Sequence, residues 1–256
     1  MMEELINYWK LLESSKPYIH PADLKHINRD LIYTFSSIED YYTNDYWTDK
    51  NLIHTDLFPV PYIGDLLNAK VFILMLNPGL SFIDYHAEIE TPSSKFIDEL
   101  KRNLKQENLN KNYPLIYLNP SYAWHSGSNY WLKKFKALIL SLQEELNISF
   151  IDAIKIISQN IAIIELYPYH SKQFTNNSSV QKLSSVQIIK EFVHNYLVPK
   201  AVNNEICIIS TRQSRTWNLL EHQNIISFTG SDSRSAHLTK SEVLTLMKKF
   251  ISNEIK

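Results

Sequence analysis

Apolar residues fall in two alternating patterns along this chain. Val71 to Leu76 is an unbroken run of six, as expected for a strand buried on both faces. Similar short runs at Ile161–Leu166, Ile206–Ser210 and Ile225–Phe228 predict three more strands. Between the runs the apolar residues recur three and four apart. Phe96, Ile97, Leu100 and Leu104 form one such face, with Thr91-Pro92 placed to start its helix; Leu132, Phe135, Leu138, Ile139 and Leu142 form another, over 130–146. Helices are also predicted over 149–159, 184–198 and 212–221. The last helix starts at "TKSE", where Thr239 and Glu242 make a capping box ahead of Val243, Leu246, Met247 and Phe250. Strands alternating with helices predict a parallel sheet between helix layers, an α/β fold.

Residues 1–58 break this alternation. Leu5, Trp9 and Leu12 make one apolar stripe, and Leu24, Ile27, Leu31 and Phe35 a second, so the segment reads as an N-terminal helical extension packed on the body at 59–256. It holds five basic and ten acidic residues, a net of −5; the remainder nets +4. A mildly basic body is compatible with a nucleic-acid face but does not establish one. No apolar run approaches the roughly 18–20 residues that span a bilayer, and the acidic start "MMEELINYWK" is unlike a secretory signal, so a cytoplasmic protein is expected, with no membrane partner. The single cysteine, Cys207, lies in the apolar "EICIIS" and reads as core. Nine histidines without paired ligand spacing indicate no dedicated metal site, and no nucleotide-binding or metalloprotease motif is present, so no cofactor is expected.

In parallel sheets ligands bind outside the carboxyl ends of the strands. The four segments there are "LNPGLS", "ELYPYHS", "STRQSRTWN" and "FTGSDSRSAHLT". The first is either a plain tight turn or a device that fixes Asn77 at the strand mouth, with Pro78 stiffening the turn and Gly79 letting a ligand near the backbone. Glu165 ends the second strand, where a carboxylate needs a partner or a ligand, and Tyr167, Tyr169 and His170 follow at once. Arg212 and Arg215 give the third segment a basic character. The fourth offers Gly230, Ser231, Ser233, Arg234, Ser235 and His237 ahead of a helix start, either a phosphate cradle or a polar loop.

"LMLNPGLS" at the end of the first strand resembles the first active-site motif of the uracil-DNA glycosylase superfamily, and most closely that of the mismatch-specific uracil/thymine glycosylases, which reads G-I-N-P-G. The later segments match by order and character over roughly residues 60–252. Leu76 stands where glycine is usual, Glu165 where uracil-reading members carry asparagine, and the last segment lacks the His-Pro-Ser-Pro form.

The resemblance implies a three-layer α/β/α sandwich on a four-stranded parallel sheet. It also implies hydrolysis of an N-glycosidic bond in DNA after the target nucleotide is extruded. Asn77 would then orient water and His237 would assist departure of the base. Glu165, Tyr85, Tyr167, His170 and Trp124 would surround the base, with Trp124, His125, Asn129 and Tyr130 in an inserted segment roomy enough for an enlarged one. Gly79, Arg212, Arg215, Ser233, Arg234 and Ser235 would contact the DNA. A carboxylate at position 165 suits the N4 amino donor of cytosine and repels O4 of uracil. The expectation is therefore a monofunctional DNA glycosylase for a modified cytosine, of the kind that defends against phages with modified DNA, without an obligate protein partner. A uracil or mismatch repair glycosylase and a non-catalytic nucleic-acid-binding module remain as alternatives.

Overall fold

The computed structural model describes residues 1–27, 32–35, 37–43, 52–90, 95–173, 180–235 and 237–252. The Thr91-Pro92 helix start and Leu31 lie outside them. The chain divides into two compact units: residues 1–62, 76–107 and 165–192 form the first, and 63–75, 108–164 and 193–256 the second.

Helix α1 (Met2–Lys10) opens the first unit and buries Met2, Leu5 and Trp9; Leu12 lies beyond its end. Among the described residues the second predicted N-terminal stripe does not form a helix. Residues Pro21–Asp23 make a single 3-10 turn, Ile32–Tyr33 form strand β1, and Ile38–Thr43 (α2) is helical again. β1 pairs in parallel with β2 (Ile53–His54), and extended pairing takes precedence over the apolar spacing there.

The main sheet has five strands among the described residues, ordered β3-β5-β4-β6-β7, with β3 Tyr62–Ile63, β4 Val71–Met75, β5 Ile161–Glu165, β6 Cys207–Ser210 and β7 Ile225–Ser227. All four predicted strands are present, and β4 pairs β6, and β6 pairs β7, in parallel. Lys70 N–H donates to Asn160 at one end of β4, and Tyr167 N–H to Leu76 at the other, so β5 also runs parallel to it. The strand not predicted is β3. Glu165 N–H donates to Pro61. A Cβ on Gly64 would meet the Ile161 carbonyl oxygen at 2.7 Å, so β3 runs antiparallel along β5. Every residue of β4 and β5 is buried, so both faces of the sheet's centre are covered, as an α/β sandwich requires.

In the first unit the chain continues into a short helix α3 (Phe82–Tyr85), begun by a Ser81/Asp84 capping box, and then α4 (Lys95–Lys105), which buries the predicted Phe96, Ile97, Leu100 and Leu104. In the second unit α5 (Ser126–Leu146) starts four residues before its predicted bound. His125 caps it, accepting from Gly127 N–H, and Trp131 rather than Leu132 fills its buried face. Ser149 caps α6 (Phe150–Asn160) by accepting from Asp152 N–H. The predicted helix 184–198 is α7 (Ser184–Phe192), a π turn, and α8 (Val198–Val202).

Helix 212–221 does not form as one element. Only Ser214–Trp217 (α9) is helical, because Gln213 and Asn218 both take left-handed backbone on either side of it. Residues Gly230–Ser235, expected as a loop, form α10. The last helix, α11, runs Ser241–Ser252 and buries Val243, Leu246, Met247 and Phe250; the Lys240 carbonyl accepts from Leu244 N–H, so its start lies after Thr239. No helix of the described residues is long and apolar enough to cross a membrane.

Candidate functional site

Asn77 follows β4 directly, and the buried strand fixes its backbone. Its side-chain amide donates to the Ser171 carbonyl and to Ser171 Oγ, both at 3.1 Å. These two bonds use the Nδ2 protons and orient the plane of the amide. The Oδ1 atom accepts from no other described residue, and Asn77 is half-buried, so a carbonyl oxygen is held at the strand mouth. Two residues on, Gly79 has φ +74°, with no atom within 4 Å of where a Cβ would lie. Glycine is there for conformation and for open space beside the turn.

The segment after β5 holds this turn in place. His170 is buried, with Nδ1 3.0 Å from the Gly79 carbonyl and Nε2 3.1 Å from that of Phe58. A neutral imidazole carries one N–H and so donates to one of the two at a time. Tyr169 is anchored elsewhere: its hydroxyl donates to Asp23 Oδ2 at 2.7 Å and accepts from His20 N–H at 3.1 Å. Asp23, fully buried, also accepts from Ser185 N–H at 3.0 Å and from the Tyr8 hydroxyl at 3.5 Å. Burial, with Asp23 alongside, pushes the Tyr8 and Tyr169 phenols well above their ordinary range.

A second polar network lies beneath the turn. The Tyr85 hydroxyl meets both His54 Nδ1 and Asp56 Oδ1, and Asp56 Oδ2 accepts from Phe35 N–H at 3.0 Å. Glu88 Oε2 accepts from Phe58 N–H at 2.7 Å. Burial pushes Asp56 up to about 6, and raises Glu88 well above the carboxylate range with Asp84 and Asp56 adding to it. Burial, reinforced by His170, pushes His54 down to about 3. With Asp56 ionised, Tyr85 donates to it and accepts from His54 Nδ1–H; with Asp56 protonated the chain of donors reverses.

These shifts set opposing pH slopes. His54 stays neutral in the folded chain, so its contribution to stability is lost as pH falls from 6.5 to about 3. Asp56 holds its proton longer in the folded chain, so its contribution is lost as pH rises from 3.8 to about 6. At 1.36 kcal/mol per pKa unit the two terms are roughly 5 and 3 kcal/mol and oppose each other across pH 4–6. Asp56→Asn removes the compensating slope. Its unfolding free energy should therefore fall more steeply than that of the wild type as pH drops from 6 to 4, by about 1 kcal/mol per unit in denaturant titrations. Parallel curves for the two proteins would refute this coupling.

The first unit thus brings together Asn77, Gly79 and His170 with Ser171. Glu165 ends β5 with 6% of its surface exposed. Tyr85 and Tyr167 are correspondingly buried, at 0% and 2%. Tyr85 is thus a buried hydrogen-bonding group of the His54–Asp56 network, and its ring is not presented for stacking on a base.

The remaining expected residues lie in the second unit. Trp124 is exposed, with its indole N–H bonded to the Ser121 carbonyl, whereas His125 is a buried cap of α5 and offers no wall for a ligand. Arg215 is exposed on α9, and Trp217 is buried, with its carbonyl bonded to His194. Ser233 Oγ donates to the Gly230 carbonyl inside α10. Arg234 and Ser235 belong to the same helix, and their side chains are outside the described set; His237 is exposed after it. Cys207 is fully buried, and burial pushes its thiol up, away from the reactive thiolate.

Sequence reasoning missed Ser171, which holds Asn77, and the set His54, Asp56 and Glu88. Ser171 closes the quoted "ELYPYHS", so its place beside the strand end was the available signal. No protein-family model, no curated protein and no solved structure matches this chain.

Proposed function

We propose that the chain is a DNA glycosylase that hydrolyses the N-glycosidic bond of an extruded, modified cytosine-type base and leaves an abasic site. One observation carries the reading. Asn77 is clamped through its amide nitrogen by Ser171, so its Oδ1 is fixed at the mouth of a buried strand beside the open turn at Gly79. An oriented carbonyl oxygen accepts a hydrogen bond from water and aims the water's oxygen; it does not act as a strong base. In the proposed step the bond from C1′ to the base nitrogen breaks and its electron pair leaves with the base. The water oxygen bonds C1′, and the water's proton passes to the departing base or to solvent. Asn77 Oδ1 steadies the positive charge that builds on the sugar. All of Asn77, Gly79, Glu165 and Ser171 belong to the first unit.

Glu165 is the reason for preferring cytosine. A buried carboxylate at the end of β5 has only acceptor atoms when ionised, and the N4 amino group of cytosine is a donor where uracil has O4. Mass spectrometry of bases released from a panel of DNAs with plain cytosine, modified cytosines and uracil tests the reading. Release of a modified cytosine from its DNA alone is the expected result. Release of uracil instead would transfer the assignment to repair, and intact DNA throughout the panel would overturn it.

A further inference from the structure

Gly79, in the turn that carries Asn77, makes one hydrogen bond among the described residues: its carbonyl lies 3.0 Å from His170 Nδ1. The ring that reaches it hangs from a fixed backbone. His54 N–H donates to the His170 carbonyl at 2.9 Å, and Val60 N–H to the Pro168 carbonyl at 2.8 Å. The second ring nitrogen, Nε2, lies 3.1 Å from the carbonyl of Phe58, which belongs to the same bonded stretch. Phe58 also has a tie of its own, because its N–H donates to Glu88 Oε2 at 2.7 Å. The next residue, Ser171, holds the Asn77 amide through its carbonyl and Oγ. One segment of the first unit therefore meets the turn at two points, Asn77 and Gly79, two residues apart.

The single N–H of a neutral ring has two places to go. On Nε2 it adds a bond to Phe58, whose stretch is already held by main-chain contacts. On Nδ1 it supplies the donor for the Gly79 carbonyl, at a residue whose φ of +74° and open surroundings offer no other hold. With both ring nitrogens turned to main-chain carbonyls, the ring keeps no polar atom for a base. We infer that His170 is a positioning residue: its Nδ1–H pins the Gly79 carbonyl and so fixes the backbone from which Asn77 Oδ1 is aimed. The pinning of the turn is independent of what the protein does; its effect on base release rests on the proposed function.

Two amide substitutions separate the ring nitrogens. The side-chain nitrogen of asparagine falls where His170 has Nδ1, and that of glutamine where it has Nε2. Gly79-Leu80 is the one Gly-Leu step in the sequence, so the full chain made with carbonyl-13C glycine and 15N leucine gives a single NMR signal for the Gly79 carbonyl. In His170→Asn that carbon should keep the wild-type shift; in His170→Gln it should move upfield, as a carbonyl carbon does on losing a donor. The same shift in all three proteins, or the reverse order, would overturn the pinning. A wild-type spectrum of the nine histidine rings with none carrying a proton on Nδ1 would overturn it without any variant. Single-turnover release from whichever DNA loses a base in the mass-spectrometric panel reads the consequence. His170→Gln should lose about tenfold in kcat with KM nearly unchanged, and His170→Asn no more than about threefold. Equal kcat in both variants alongside the expected carbonyl shifts would deny the pinning any part in aiming Asn77. The expected shifts with no base released from any DNA would uphold the pinning and overturn only the glycosylase reading.

Discussion

Asn77→Ala should lower base release by about 10²- to 10³-fold with DNA affinity nearly unchanged, the usual loss when one oriented polar group is removed from a developing charge. Alanine keeps the half-buried strand end but removes the oxygen that aims water. Ser171→Ala is the graded companion. It deletes one of the two acceptors that hold the Asn77 amide and keeps the backbone carbonyl, so a loss of about threefold to tenfold is expected, in kcat more than in KM. Asn77→Asp should be nearly as poor as alanine, because a carboxylate cannot donate to the Ser171 carbonyl and would rotate away from it. Single-turnover release from the DNA identified by the mass-spectrometric panel measures all three. An Asn77→Ala protein as fast as the wild type would remove the residue from the reaction.

The strand ends are legible in the sequence because short runs of four to six mainly apolar residues have few other homes in a chain of this composition. For β4 and β5 the runs also located the turn at Asn77 and the carboxylate at Glu165. Local pattern failed where long-range pairing decides. Ile32–Tyr33 lies within an apolar spacing that suits a helix, yet it pairs with Ile53–His54, twenty-one residues on. Helix 212–221 fails because Asn218 takes left-handed backbone, which a single periodicity does not reveal.

The polar contacts behave likewise. Ser171 reaches Asn77 across 94 positions, and Tyr85 reaches Asp56 across 29, so neither pair leaves a mark in any short window of sequence. The resemblance puts Tyr85 beside a base, and Tyr169 follows the strand that ends in Glu165. In Tyr85 and Tyr169 the hydroxyls are instead spent on Asp56, His54 and Asp23, and the acids that hold them lie in the N-terminal segment, which its spacing presented as an appendage.

That N-terminal segment supplies the largest expected effect on stability, at Asp23. Its carboxylate accepts from the Tyr169 hydroxyl, the Ser185 amide and the Tyr8 hydroxyl in a place with no exposed surface. Asp23→Ala leaves the first two donors buried without an acceptor, at about 1–3 kcal/mol each, and opens a small void, so a loss of about 3–5 kcal/mol is expected. For a chain of this size that corresponds to a fall of about 6–20 °C in melting temperature. Asp23→Asn keeps the volume and one acceptor oxygen but turns an amide donor toward another donor, so it should fall between the wild type and alanine. The damage should also reach the strand end, because Tyr169 immediately precedes His170 and Ser171, the residues bonded to Gly79 and Asn77. Urea unfolding of the three proteins reads the first effect, and base release at a temperature where Asp23→Asn is still folded reads the second. A stable Asp23→Ala protein would show that the Asp23 contacts add little to the first unit. A destabilised Asp23→Asn protein with full activity would show that the segment after β5 keeps Asn77 in place without the Asp23 anchor.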